Sequence, residues 1–277
     1  MTTKVYTQCP LPFIGQKRHF LKQYRQTLLQ VREEVDTIVD LFGGSGLLSH
    51  AAKRLMPECR VVYNDYDHYT NRIQHIPQTN ELIQHIRQHL QGLKPDARLT
   101  PLQRSRVVKL VNEAQKHDGW VDAQTIGRSL LFSGRWVTSV SELKQQATMY
   151  NRVRTTPYNA EGYLDGLEIE HADYRLLYDQ HKHNPKALFV LDPPYLTTEC
   201  GMYGNYWRLN DYLDVLSLLK GTKYIYFTSS KSQLVELCEY LSAEYGQDAP
   251  MFGATVHEHN NHINNHSQYT DMMITRI

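Results

Sequence analysis

The chain of 277 residues is 41% hydrophobic and 21% charged, enough to bury a substantial core and too apolar for a disordered polymer. No apolar run approaches the ~18 residues of a membrane span, and residues 1–15 lack the basic-then-apolar pattern of a secretory signal, so the expected setting is cytoplasmic, with no membrane partner. The formal net charge of +1 hides an asymmetry: residues 98–156 hold ten Lys/Arg against four acids, a local +6 that leaves −5 for the rest.

In chain order, Phe20, Leu21, Tyr24, Leu28, Leu29 and Val31 recur at helical spacing and predict a first helix. The β-branched and apolar run Thr37 to Phe42 predicts a strand, ended by Gly43, Gly44 and Gly46 and followed by the helical pattern Leu47, Leu48, Ala51, Ala52, Leu55. Cys59 to Asp65 predicts a second strand ending in an acid, which completes a βαβ unit and implies parallel pairing. From about Tyr69 to Tyr158 the signal turns helical, with stretches at 81–93 and 102–115. Strand signals return at 167–171, at 187–191 and, after a helix over 212–219, at 223–228. Two more, at 254–258 and 269–274, flank an Asn/His-rich stretch and predict a terminal antiparallel hairpin. The fold class is therefore α/β: a Rossmann-like, mostly parallel sheet with helices on both faces. The expected division is residues 1–68 with 159–277 as one domain and 69–158 as a helical insert.

Two motifs carry chemistry. In Asp40 to Gly46 (DLFGGSG), glycines at a strand-to-helix turn let a ligand approach the backbone, and Asp65, about 20 residues on, sits where a carboxylate accepts hydrogen bonds from ribose hydroxyls. The spacing of Gly43, Gly44 and Gly46 departs from G-x-G-x-x-G, which disfavours a nicotinamide cofactor. The sharper motif is Leu191 to Tyr195 (LDPPY), at the carboxyl end of an apolar strand. Pro193 and Pro194 remove two donors and leave carbonyls facing outward, Asp192 adds a carboxylate, and Tyr195 adds a ring face. Together they suit a planar heterocycle bearing an amino group.

The order and wording of these motifs, spread over nearly the whole chain, resemble the Dam-like class of adenine-N6 DNA methyltransferases. That resemblance implies S-adenosyl-L-methionine as cofactor, held by Phe13 and Lys17 of an N-terminal loop (FIGQK), by Asp40, Phe42, Gly43, Gly44 and Gly46, by Asp65, by Asp192, and by Asp173 of Ala172-Asp173-Tyr174. It implies catalysis by Asp192, Pro193, Pro194 and Tyr195, through transfer of a methyl group to the N6 amine of an adenine flipped out of double-stranded DNA. The basic insert would contact DNA, with Arg128, Arg135, Arg152 and Arg154 as candidates, and the protein would act as a monomer or weak dimer. No base-reading motif is recognisable in the insert. A loop over 197–208 is a candidate cover for the flipped base, with a plain exposed loop as the alternative.

Cys9, Cys59, Cys200 and Cys238 lie far apart without a C-x-x-C pair and read as reduced thiols. His257, His259, His262 and His266 lack acidic or thiol partners at ligand spacing, so no metal is expected. Alternatives are cytosine N4 in DNA, adenine in RNA, or a non-catalytic nucleic-acid-binding protein of the same fold. An aspartate before the prolines leans toward adenine, by resemblance.

Overall fold

The computed structural model describes residues 4–132, 135–194, 207–230, 232–264 and 267–277, without the side chains of 248, 261–264 and 267–268. The chain divides into two compact units: Met1–Gln8, Gln16–Asp67 and Gly162–Ile277 form the first, and Cys9–Gly15 with His68–Glu161 form the second.

In the first unit, seven strands make one sheet in the order β3-β2-β1-β4-β5-β7-β6. They are β1 (Thr37–Asp40), β2 (Arg60–Asn64), β3 (Glu168–Glu170), β4 (Ala187–Leu191), β5 (Lys223–Ser229), β6 (Thr255–Asn264) and β7 (Ser267–Arg276). The first five pair in parallel, whereas β7 runs antiparallel to both β5 and β6. Every residue of β1 and β4 is buried, as expected of central parallel strands covered on both faces.

Strand alternation sends Ile38, Val61, Leu188, Val190 and Ile225 to one face, where they pack with α1 (Leu21–Gln30) and α2 (Leu47–Leu55). Val39, Val62 and Phe189 go to the other, under α8 (Tyr174–His181), α9 (Leu209–Leu218) and α10 (Leu234–Tyr245). The chain winds from β1 outward through β2 to β3, then returns to place β4 on the other side of β1. Winding reverses between β1 and β4, the place where open α/β sheets have their ligand crevice, outside the carboxyl ends of the strands.

The terminal hairpin differs from the sequence reading. The polar residues 259–264 and 267–268, expected as a long tip, continue the two strands. Backbone pairing, indifferent to side-chain polarity, carries the ladder past the point where β5 ends opposite Asp271.

The second unit is helical: α3 (Tyr69–Gln74), α4 (Ile76–His89), α5 (Pro101–Asp118), α6 (Ala123–Arg128) and α7 (Val140–Gln145). Thr100 and Gln103 close a reciprocal capping box on α5, Pro101 occupies its first position, and Gly119 ends it in the left-handed region. Leu82, Ile86, Val107, Ile126 and Leu130 are among its core residues. A buried guanidinium, Arg72, bonds Asp122 at 3.1 Å, Gln124 at 2.8 Å and the Pro12 carbonyl at 2.8 Å. That last bond, with Leu11 N–H donating to Tyr69 Oη at 2.9 Å, explains a departure from the expected division: residues 9–15 group with the helical unit, not with the sheet.

Candidate functional site

The crevice at the β1/β4 reversal gathers residues from four separate segments of the first unit. Leu41 N–H donates to the Val190 carbonyl at 3.0 Å, so the two strands leave the sheet side by side, one into the glycine turn and the other into Asp192-Pro193-Pro194. Lys17, just ahead of a 3-10 turn (Arg18–Phe20), reaches the same place and donates from Nζ to Asp192 Oδ2 at 2.5 Å. The ammonium is 7% exposed and the carboxylate 20%, so the pair is shielded from bulk water and charge-assisted. Burial pushes the Asp192 carboxyl above its ordinary range, and the ammonium of Lys17 pulls it back.

Asp40 ends β1 fully buried, and its Oδ2 accepts from Ser49 Oγ at 2.6 Å. Its Oδ1 is also buried and has no hydrogen-bond partner among the described residues. Burial is the main reason its carboxyl is raised to about 7, with the charge of Asp192 pushing the same way and Ser49 opposing. The Phe42 backbone N–H also bonds to this carboxyl and lowers its pKa, and a buried carboxylate with so few donors beside a second one suits a cationic ligand group.

The glycine turn has a second cause beside the one expected. Gly44 and Gly46 have φ of 48° and 73°, where L-residues are strained. At Gly43 and Gly46, however, the space a Cβ would take belongs to the ring of Tyr63, with contacts of 2.3 Å and 3.2 Å. These two glycines make room for a neighbouring side chain, so their presence alone does not argue for a ligand. Tyr63 Oη lies 2.7 Å from the Gly44 carbonyl and 3.0 Å from Asp65 Oδ1. On the opposite face of β2, Asn64 Nδ2 donates to the carbonyls of Leu41 and Ala172, both at 2.9 Å, and stitches the two neighbouring loops together. Sequence reasoning missed Tyr63. The available signal was its position two before Asp65, which places both on one face of the strand.

Asp65 is fully buried; its N–H donates to the Glu170 carbonyl and its own carbonyl faces His171 Nδ1 at 2.9 Å. Asp173 caps α8 by accepting from Arg175 N–H at 2.8 Å. Phe42, Tyr174 and Trp207 cluster beside it, with Phe42 centred 5.0 Å from Tyr174 and 5.6 Å from Trp207. Trp207 is a further aromatic that the sequence did not single out. Phe13 belongs to the other unit, where its ring stands edge-on to Tyr69 at 5.6 Å. Tyr195, and with it residues 197–206 of the candidate cover loop, lies outside the described residues.

The four candidate arginines have unequal situations within the helical unit. Arg152 donates from Nε to Asp96 at 3.0 Å and from Nη1 to the Leu131 carbonyl at 2.9 Å, and lies over Phe132. Those bonds commit two of its donors to folding the unit itself. Arg154 lies 4.0 Å over Tyr158 and Arg128 lies 5.3 Å over Trp136, each with a guanidinium on a ring face. Arg135 is exposed.

A Haemophilus influenzae protein called "Putative methyltransferase" is 40% identical to this chain over 245 residues, covering 86% of the chain and 81% of that relative. The chain belongs to that methyltransferase family. No protein-family model matches it. In open α/β sheets ligands bind outside the carboxyl ends of the strands, and the loops after β1, β2 and β4 lie there in this chain. Among the described residues no helix is long and apolar enough to cross a membrane.

Proposed function

We propose that the protein transfers the methyl group of S-adenosyl-L-methionine to the exocyclic N6 amine of adenine in double-stranded DNA. The observation that carries this reading is the Lys17-bound Asp192, followed by two prolines, at the carboxyl end of β4 beside the glycine turn. The residues present fit the cofactor. Asp40 Oδ1 offers a buried acceptor for its ammonium, Asp65 a buried carboxylate for its ribose hydroxyls, and Phe42 with Trp207 apolar ring faces for its adenine. When bound, it supplies an electrophilic methyl group on a sulfonium.

The adenine amine is a poor nucleophile because its lone pair is delocalised into the ring. With Oδ2 occupied by Lys17, Asp192 Oδ1 is left to accept one amine hydrogen, and the Pro193 carbonyl accepts the other. Two acceptors fixed in this way aim the nitrogen lone pair and favour its pyramidalisation, as positioning catalysis requires. This nitrogen would take the methyl group of a bound cofactor, which leaves as the thioether. The proton the nitrogen loses would pass to Asp192 Oδ1, which already accepts one amine hydrogen, and from there to water. Extruding the base costs about a few kcal/mol, offset by stacking and hydrogen bonding in the crevice. The basic helical unit is the proposed duplex contact, through Arg128, Arg135 and Arg154.

The test is nucleoside mass spectrometry of unmethylated duplex DNA incubated with the protein and S-adenosyl-L-methionine. N6-methyladenine is the expected product, and Asp192→Ala should abolish it while leaving cofactor binding measurable. Methylcytosine instead of methyladenine, or full turnover by Asp192→Ala, refutes the assignment.

A further inference from the structure

We infer that Arg128 is a specificity-determining residue of the helical unit, whose guanidinium reads a base edge offering two adjacent acceptors, as guanine does with O6 and N7 in the major groove. This rests on the proposed action on double-stranded DNA and separates Arg128 from arginines that serve as plain charge.

The inference follows from how the end of α6 is built. Asp122 caps the helix by accepting from Thr125 N–H at 3.0 Å, and just beyond Arg128 the Ser129 Oγ donates to the Thr125 carbonyl at 3.3 Å. The Ser129 carbonyl in turn accepts from Arg152 N–H at 3.1 Å, so the backbone that carries Arg128 is held on both sides. Gly127 faces Val137, where a Cβ would stand 2.6 Å from a methyl group. That close approach brings Trp136 alongside, and Arg128 lays its guanidinium 5.3 Å from the centre of the indole.

Hydrogen bonding sets Arg128 apart from the other half-buried arginines of this unit. Arg104 donates to the carbonyls of Gln146 and Lys144, Arg152 to Asp96 and the Leu131 carbonyl, and Arg154 to the hydroxyl of the Tyr158 ring that it covers. Arg128 makes no hydrogen bond to any described residue; its Nη1 is buried without a partner, and the rest of the fork borders on solvent. A ring contact therefore sets the plane of this guanidinium, and its donors stay uncommitted. A charged group partly stripped of water with a bond unmade is costly, and an incoming acceptor relieves that cost. Exposed cations such as Arg98, Arg106 and Arg135 suffice for phosphate, which attracts charge without demanding an orientation. A fork fixed in plane gains most from two acceptors held side by side in that plane, and much less where one is missing. A base edge arriving beside the indole meets the outer donors first, and sliding the fork along the ring brings Nη1 into the same pairing.

The experiment maps N6-methyladenine across random-sequence duplex DNA for wild type, Arg128→Lys and Arg128→Gln. The wild-type reaction is repeated on duplexes in which 7-deazaguanine, which lacks the N7 acceptor, replaces guanine. Wild type is expected to prefer adenines with a guanine at one fixed offset, and to lose about tenfold on the 7-deazaguanine duplex. Arg128→Lys keeps the charge, so it should lose about tenfold in guanine preference while the salt dependence of DNA binding stays as in wild type. The 7-deazaguanine duplex tests the unaltered protein, so a folding defect in a variant cannot imitate that result. A loss spread evenly over all sequences in Arg128→Gln, with a salt slope shallower by about one, would assign Arg128 to phosphate and overturn the inference. Wild-type methylation that ignores guanine, indifference to 7-deazaguanine, or an intact guanine preference in Arg128→Lys would overturn it as well. Absence of methyladenine from the wild-type reaction refutes the proposed function, and this inference with it.

Discussion

Replacing Asp40 with asparagine tests the electrostatics of the crevice without changing its shape. The amide oxygen can still accept from Ser49, which now bonds Asp40 Oδ2 at 2.6 Å, but the charge is gone. Asp40 is 1% exposed, and its carboxyl is held at about 7 against an ordinary value of 3.8. Below about pH 4 the group is protonated in both folded and unfolded chains and exerts no effect. Between about pH 4 and 7 the unfolded chain gives up the proton while the folded one keeps it, so wild-type stability falls as pH rises, by about 1.4 kcal/mol per pH unit. Above about pH 7 both forms are ionised and the cost levels off. From about pH 5 to about pH 8, wild type should therefore lose about 2–3 kcal/mol relative to Asp40→Asn. Urea unfolding of both proteins at the two pH values measures this difference, and the subtraction removes titrations common to both. A gap that does not change with pH would show that Asp40 is ionised throughout and that its burial is compensated.

Lys17→Met removes the cation that supports the Asp192 carboxylate. Burial would then push that carboxyl higher, so the acidic limb of the pH–kcat profile should move to higher pH and kcat should drop on the order of 10²-fold. A profile that superimposes on wild type would remove Lys17 from the chemistry. In the helical unit, Arg152→Gln should lower thermal stability, because it breaks bonds to Asp96 and to the Leu131 carbonyl. Arg135→Gln should leave stability alone and shallow the salt dependence of DNA binding. The reverse pattern would reassign the two arginines.

Much of the candidate site could be read in the sequence because its pieces are local. The glycines after Asp40, the acid ending β2 and the prolines after Leu191 each act within a few residues, through backbone stereochemistry that the residue type alone determines. Continuous β-branched and apolar runs likewise located β1, β4 and β5 to within two residues. The terminal hairpin was harder, since its outer pairs are backbone bonds between polar residues and leave no apolar signature.

The sequence by itself determined the central strands and the α/β class and pointed to the candidate loop after β4, since each follows from near-neighbour patterns. Only tertiary structure brought Lys17 to Asp192 across 175 residues, because that contact depends on β4 returning beside β1. Tertiary packing also gave the glycine turn a second cause in the ring of Tyr63, and drew Cys9–Gly15 to the helical unit through Tyr69 and Arg72. Contacts of this kind are set by how strands and helices stack, and no local pattern in the chain specifies which distant side chain will fill the space left by a missing Cβ.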